Sequence, residues 1–209
     1  MKRFFAFLLA GLLSHNLMAA ETAPDVLVKQ VSQDVLGIIK KDKDIQAGNR
    51  KKIFDLVETR VLPNFDFSRM TQLAVGKNWR SASPEQQKQL VEEFRSLLVR
   101  TYSLSLSNYK NQTVDYRPLA SQPGDTDVTV KTLIIQPGGE PIPVDYSMWK
   151  TPQGWKVYDI AIANASLVTT YRGQFNNEIR QSGIDGLIKK LADKNSADDG
   201  GKQANTKKL

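Results

Sequence analysis

The sequence predicts an α+β fold: an antiparallel meander sheet curled against helices, with an added helical part, enclosing an apolar cavity. Three observations predict it. Apolar residues recur every three to four positions from Pro24 to Tyr109, alternate between Thr113 and Ile162, and return to helical spacing after Ala165. The helical stretches offer more apolar faces than the two faces of one meander can cover, which favours a hollow centre over a filled one.

From Pro24 to Lys41, Leu27, Val31, Val35 and Ile38 or Ile39 make a helical stripe. Gly48 and Asn49 precede a second amphipathic run with Ile53, Phe54, Val57 and Val61, and Pro63 stops it. A third short helix is expected from Asp66 to Gly76, where the glycine suits a left-handed cap. Ser83-Pro84-Glu85-Gln86 has the residues of a capping box with proline in the first turn. The helix it starts is expected to be the longest element, running through Leu90, Phe94, Leu97, Leu98, Tyr102 and Leu106 towards Tyr109. Strands follow at 113–117, 128–135, 144–149 and 155–162, separated by Pro123-Gly124-Asp125, Pro137-Gly138-Gly139 and Thr151-Pro152-Gln153-Gly154. Helix returns from Ala165 to Gln181 with Leu167, Tyr171, Phe175 and Ile179 on one stripe, and restarts after Gly183 through Leu187 and Leu191.

Lys2 and Arg3, the apolar run Phe4 to Leu13 and the small residues Ala19 and Ala20 read as a signal peptide covering 1–20. The run is shorter than the roughly 20 residues that cross a bilayer as a helix. Residues 21–195 then form one α+β domain. The polar stretch 196–209 is expected to be disordered.

Composition removes several chemistries. There is no cysteine, and the single histidine, His15, lies in the signal segment. Thiol and imidazole catalysis are therefore absent from the domain, and so are the commonest metal ligands. The net charge of +7 allows anionic partners, but export argues against nucleic acid. Strand parity turns Lys131 and Asp145 outward and Val128, Val130, Thr132, Val144, Tyr146 and Met148 inward. In the last strand the same rule groups Tyr158, Ile160 and Ile162 on one face, taken as the interior, and Trp155, Val157 and Asp159 on the other. One constellation suggests catalysis: Asp159 and Tyr158 with Tyr146 on the neighbouring strand resemble an acid and base pair in an apolar cone. Capping of a nearby loop is the plainer role for Asp159. An isomerase or hydratase-like enzyme and an envelope adaptor thus stand as alternatives to a carrier.

Two stretches carry a family resemblance. The first is Leu62-Pro63-Asn64-Phe65-Asp66-Phe67, then Gly76-Lys77-Asn78-Trp79-Arg80, then Leu97-Leu98-Val99-Arg100-Thr101-Tyr102. The second is Gly154-Trp155-Lys156-Val157-Tyr158-Asp159, then Ala165-Ser166-Leu167-Val168, Tyr171-Arg172-Gly173-Gln174-Phe175 and Gly183-Ile184-Asp185-Gly186-Leu187. In order and spacing the chain resembles the MlaC family, the toluene-tolerance auxiliary proteins. Ile162-Ala163-Asn164-Ala165 departs from the family's usual turn after the last strand. The resemblance implies a periplasmic phospholipid-binding protein with a nuclear-transport-factor-like cone. It also implies traffic between an outer-membrane lipoprotein–porin complex and an inner-membrane ABC transporter with an MCE-type subunit, in the service of outer-membrane lipid asymmetry. No cofactor is implied beyond bound phospholipid as cargo.

On that reading the long helix after Ser83 lies across the sheet. Leu97, Leu98, Thr101, Tyr102 and Leu106 then face Val130, Tyr146, Met148, Tyr158, Ile160 and Ile162 around the acyl chains. Leu167, Tyr171, Phe175 and Leu187 close one wall, and Phe67, Met70 and Leu73 another. Arg172, one residue past that stripe, is the candidate for the head-group phosphate.

Overall fold

The computed structural model describes residues 22–109, 111–122 and 124–199, so the stretch expected to be a signal peptide and the tail beyond Asp199 lie outside the described residues. The α+β order is as expected. Helix α1 (Pro24–Lys41) leads to a one-turn helix α2 (Lys43–Gln46) capped by the Asp42 carboxylate. Helix α3 (Arg50–Leu56), capped by Asn49, widens into a π-helical turn at Val57–Val61 and tightens into a 3₁₀ turn at Leu62–Asn64. Helix α4 (Phe67–Val75) starts at its Asp66 cap and ends on Gly76 at φ 63°. After a 3₁₀ stretch (Gly76–Ser81), α5 (Pro84–Tyr102) opens with the complete Ser83–Gln86 capping box and continues as a 3₁₀ turn over Ser103–Asn108.

Five antiparallel strands follow in sequence order: β1 (Thr113–Tyr116), β2 (Asp127–Ile135), β3 (Ile142–Thr151), β4 (Gly154–Ile162) and β5 (Ala165–Ser166). Ala165 and Ser166 were expected to start the next helix and instead pair with β4 through a two-residue turn, Ala163-Asn164, both at positive φ. Helix α6 (Leu167–Asp199) is broken at Gly183, as the glycine predicted. It continues four residues past the boundary expected at 195. Among the described residues no helix is long and apolar enough to cross a membrane.

Three buried clusters hold these elements. Met70, Phe94, Leu97, Tyr171, Phe175 and Leu187 lead a helical core of α4, α5 and α6. Val128, Val130, Met148, Trp155 and Val157 form the sheet's core, with Val28 of α1 packed on it. Val35, Ile39, Ile45, Ile53 and Leu56 join α1, α2 and α3. The helix lying over the sheet is therefore α1, and the expectation that the helix after Ser83 does so is corrected: α5 packs on α4 and α6. Both helices have an apolar stripe, and length alone pointed to the wrong one.

Strand β4 contains a bulge. Ser147 pairs with Asp159 and Met148 with Val157, which leaves Tyr158 as an extra residue. The bulge shifts the alternation by one. Trp155 and Val157 point inward with Ile160 and Ile162, while Tyr158 turns out, correcting the parity reading. Its hydroxyl donates to Asp127 at 2.8 Å.

The break in α6 yields a test. Gly183 sits at φ 73°, ψ −177°, a region essentially closed to side chains. Gly183→Ala is expected to lower unfolding stability by about 1–3 kcal/mol, read from the urea midpoint, because the second half of α6 carries Leu187 and Leu191 into the helical core.

Candidate functional site

A cavity of about 350 Å³ lies where the three clusters meet. Helix α1 supplies a stripe to its wall, Leu27, Val28, Val31, Ser32, Val35 and Leu36, at the i, i+4, i+8 spacing of one helical face. Val57, Val61 and Leu62 come from the π and 3₁₀ turns, and Phe65, Phe67 and Met70 from the start of α4. The end of α5 adds Leu98, Val99 and Tyr102, with Ser103 and Leu106 beyond it. The sheet gives Val114, Ile134, Tyr146, Met148, Val157, Ile160 and Ile162, and α6 gives Leu167. Ser32, Asn64, Tyr102, Ser103 and Tyr146 are the polar members, and none of the described wall residues carries a formal charge. Such a surface has little to offer water and favours an apolar occupant.

Of the residues expected at the site, Phe67, Met70, Leu98, Tyr102, Leu106, Tyr146, Met148, Ile160, Ile162 and Leu167 lie on this wall. Leu97, Tyr171, Phe175 and Leu187 do not, because they fill the helical core. Each helical residue turns ~100° from the last, so Leu97 and Leu98 separate into core and cavity. Tyr171 and Phe175 are held by Phe94, with ring centroids 5.0 Å from each. Burial raises the Tyr171 hydroxyl pKa well above the usual range, with Tyr102 and Thr101 beside it. Leu73 packs on the same core, Thr101 is exposed, and Val130 lies in the sheet's own core. Arg172 is exposed, and its Nε donates to the Leu73 carbonyl at 2.8 Å, binding α6 to the end of α4. Its expected place at the cavity mouth is corrected accordingly.

Sequence reasoning missed the α1 stripe and the π turn. The stripe was visible as a helix, but nothing in its spacing says which layer it faces. The π turn had no signal short of the run ending in Pro63.

The segment entering α4 is fastened to the sheet. Phe65 forms a bridge with Val157, and the Asp66 N–H donates to the Val157 carbonyl at 2.8 Å. The Asp66 carboxylate caps α4 through the Arg69 N–H at 2.9 Å and accepts from Trp149 Nε1 at 3.0 Å. Arg69 lies between the rings of Trp149 and Tyr158, at 4.3 and 4.5 Å from their centroids, and pairs with Asp127 at 3.0 Å.

The suggested acid and base pair is not assembled. Tyr146 faces the cavity opposite Ile160, whereas Asp159 pairs with Ser147 on the other face of the sheet. Asp159 accepts from the Val168 N–H at 3.0 Å and from the Ser166 hydroxyl at 2.5 Å, so it caps α6. Among the described residues no cluster of three His, Cys, Asp or Glu could hold a metal ion.

An uncharged apolar hollow in an α+β shell defines a class, the proteins with an internal cavity for an apolar ligand. The profile of the MlaC protein family matches residues 29–193, and the chain belongs to that family. It is 24% identical over 197 residues to the intermembrane phospholipid transport system binding protein MlaC of Haemophilus influenzae, covering 91% of this chain and 92% of that protein. It is 25% identical over 169 residues to the toluene tolerance protein ttg2D of Pseudomonas putida, covering 80% and 78%. Among solved structures it resembles the phospholipid-binding protein of Ralstonia solanacearum in complex with a phospholipid. There the TM-score is 0.79 and the identity 42%, over 86% of this chain and 99% of that one.

If Asp159 serves only as a cap, Asp159→Ala should cost about 0.5–2 kcal/mol of stability. Material extracted from the cavity should be the same as from the unaltered protein, as read by mass spectrometry.

Proposed function

We propose that this chain is a periplasmic phospholipid carrier that moves lipid between the outer and inner membranes and so maintains outer-membrane lipid asymmetry. The observation that carries the reading is the charge-free cavity whose wall is drawn from α1, α4, α5, α6 and the sheet. Acyl chains need such a surface, and a metabolite with charged groups would be left without partners there. The names of the relatives, which speak of phospholipid binding, intermembrane transport and toluene tolerance, support it from outside the structure. The signal-like start of the sequence supports export. The partners that fit are an outer-membrane lipoprotein–porin complex at one end and an inner-membrane ABC transporter with an MCE-type subunit at the other.

Energetics shape how such a carrier works. Removing ~30 acyl methylenes from water at ~0.8 kcal/mol each is worth ~24 kcal/mol gross. In a bilayer those methylenes are already dry, so exchange between membrane and cavity is nearly balanced. Release into water is therefore very slow, and loading and unloading take place while the carrier is docked on a membrane complex.

Two measurements test the proposal. Organic extraction of the protein purified from a periplasm should yield phospholipid by mass spectrometry, and protein that comes out folded and lipid-free would sink the idea. Ile160→Trp adds volume on the wall and should reduce bound lipid several-fold with a small change in unfolding midpoint. Leu97→Trp, in the packed helical core at 2% exposure, should instead cost about 1–3 kcal/mol of stability.

A further inference from the structure

Two polar members of the cavity wall, Ser32 and Tyr146, belong to a group of four hydroxyls that reaches behind the wall. Tyr116 on β1 lies opposite Thr132 on β2, and Tyr146 on β3 lies opposite Val130, two residues from Thr132 on the same face. Ser32 approaches Tyr116 from α1, and Thr132 lies beside the Tyr146 hydroxyl. Ser32 and Tyr146 both line the cavity.

The protons of this group are unevenly placed. Ser32 Oγ donates to the Val28 carbonyl at 2.6 Å, and Thr132 Oγ1 donates to the Val144 carbonyl at 2.8 Å. Both are thereby limited to accepting, and the two tyrosines hold the protons that remain to be given. Burial keeps those tyrosines neutral, pushing the Tyr146 hydroxyl up to about 12 and raising Tyr116 as well. Phenylalanine would fill the same space without desolvating a hydroxyl, so a wall serving only hydrocarbon gains nothing from them. A diacyl phospholipid carries two strong acceptors, its ester carbonyls, at the joint between chains and head group. The Lys29 ammonium, 5.8 Å from the Tyr116 ring centroid, sets a positive charge at the solvent side of the group, on the side the adjoining phosphate would take.

We propose that the Ser32–Tyr116–Thr132–Tyr146 group is a subsite for the ester carbonyls of the cargo, with Tyr146 donating to a carbonyl oxygen and selecting ester-linked over ether-linked lipid. The inference rests on the carrier reading and deepens it. Thr132 is the resting acceptor that the carbonyl replaces, so the gain is that of one neutral hydrogen bond less the one given up.

The test compares two phosphatidylglycerols of equal chain length, one with ester-linked and one with ether-linked chains, offered to the delipidated full chain from vesicles. The unaltered protein should take up the ester lipid about twofold to threefold better, the difference between two neutral hydrogen bonds. Tyr146→Phe should remove that preference by lowering uptake of the ester lipid to the level of the ether lipid while the far-ultraviolet circular dichroism stays unchanged, and Tyr116→Phe should weaken it. Equal uptake of the two lipids by the unaltered protein overturns the proposal, whatever the variants do. A preference that persists in a Tyr116→Phe, Tyr146→Phe double variant overturns it too. Uptake of neither lipid overturns the carrier reading itself, which separates the two failures.

Discussion

The attachment of Asp66 to strand β4 sets where everything else can stand. Its main-chain N–H is spent on Val157, one carboxylate oxygen on the N-terminus of α4 and the other on Trp149 of β3. The bonds to Val157 and Trp149 tie the start of α4 to the sheet, with Arg69 stacked between Trp149 and Tyr158 on the outside of the same joint. Because the join is at the start of α4, that helix does not lie flat on the sheet, and α1 takes that position. Between the two layers remains the hollow. Its wall is the part of each cluster that meets no partner.

The distribution of polar groups follows from the same arrangement. The charged side chains near the joint, Asp66, Arg69 and Asp127, lie off the cavity wall, where Arg69 pairs with Asp127 and Asp66 accepts from Trp149 Nε1 and the Arg69 N–H. Asp159, the carboxylate that sequence position made look reactive, caps a helix on the far face of the sheet. The interior keeps neutral groups, whose hydrogen bonds are short-range and close within the wall. An apolar ligand is better served by this than by an interior ion, which would attract water into the cavity.

Much of this was legible in the sequence, and the failures have physical causes. The Ser83–Gln86 capping box placed the start of α5, and the helices expected after Asn49 and from Asp66 begin where those side chains turn out to cap α3 and α4. Alternation found the strands and their inward residues up to the bulge at Tyr158. There one extra residue changes the parity, so Ile160 and Ile162 were placed correctly while Tyr158, Trp155 and Val157 were assigned to the wrong faces, and no local signal marks it. Helical spacing identified stripes but not their destinations. Leu97 and Leu98 are adjacent in the chain and share the helical core, yet only Leu98 also reaches the cavity, and the α1 stripe reads like any helix packed in a core. Tyr171 and Phe175 were expected at the cavity because large aromatics suit a ligand wall, yet their contacts with Phe94 satisfy them within the helical core. Arg172 shows the same limit for a polar side chain, since its target is a main-chain carbonyl that only the folded chain presents.

The hydrophobic clusters that hold the protein together are largely distinct from the surface that faces the hollow. Phe94, Leu90, Ile39, Ile53 and Val130 are fully buried in contacts with their own layers and lie off the wall. The molecule is thus divided, for mutation, into a conservative frame and a permissive lining. Val31, Leu36, Val61 and Ile160 are only partly buried on that wall, so changes in their size act first on the room inside. Lineages with the same frame are free to diverge in the girth and length of the molecules they accommodate, by drift among aliphatic residues of different size.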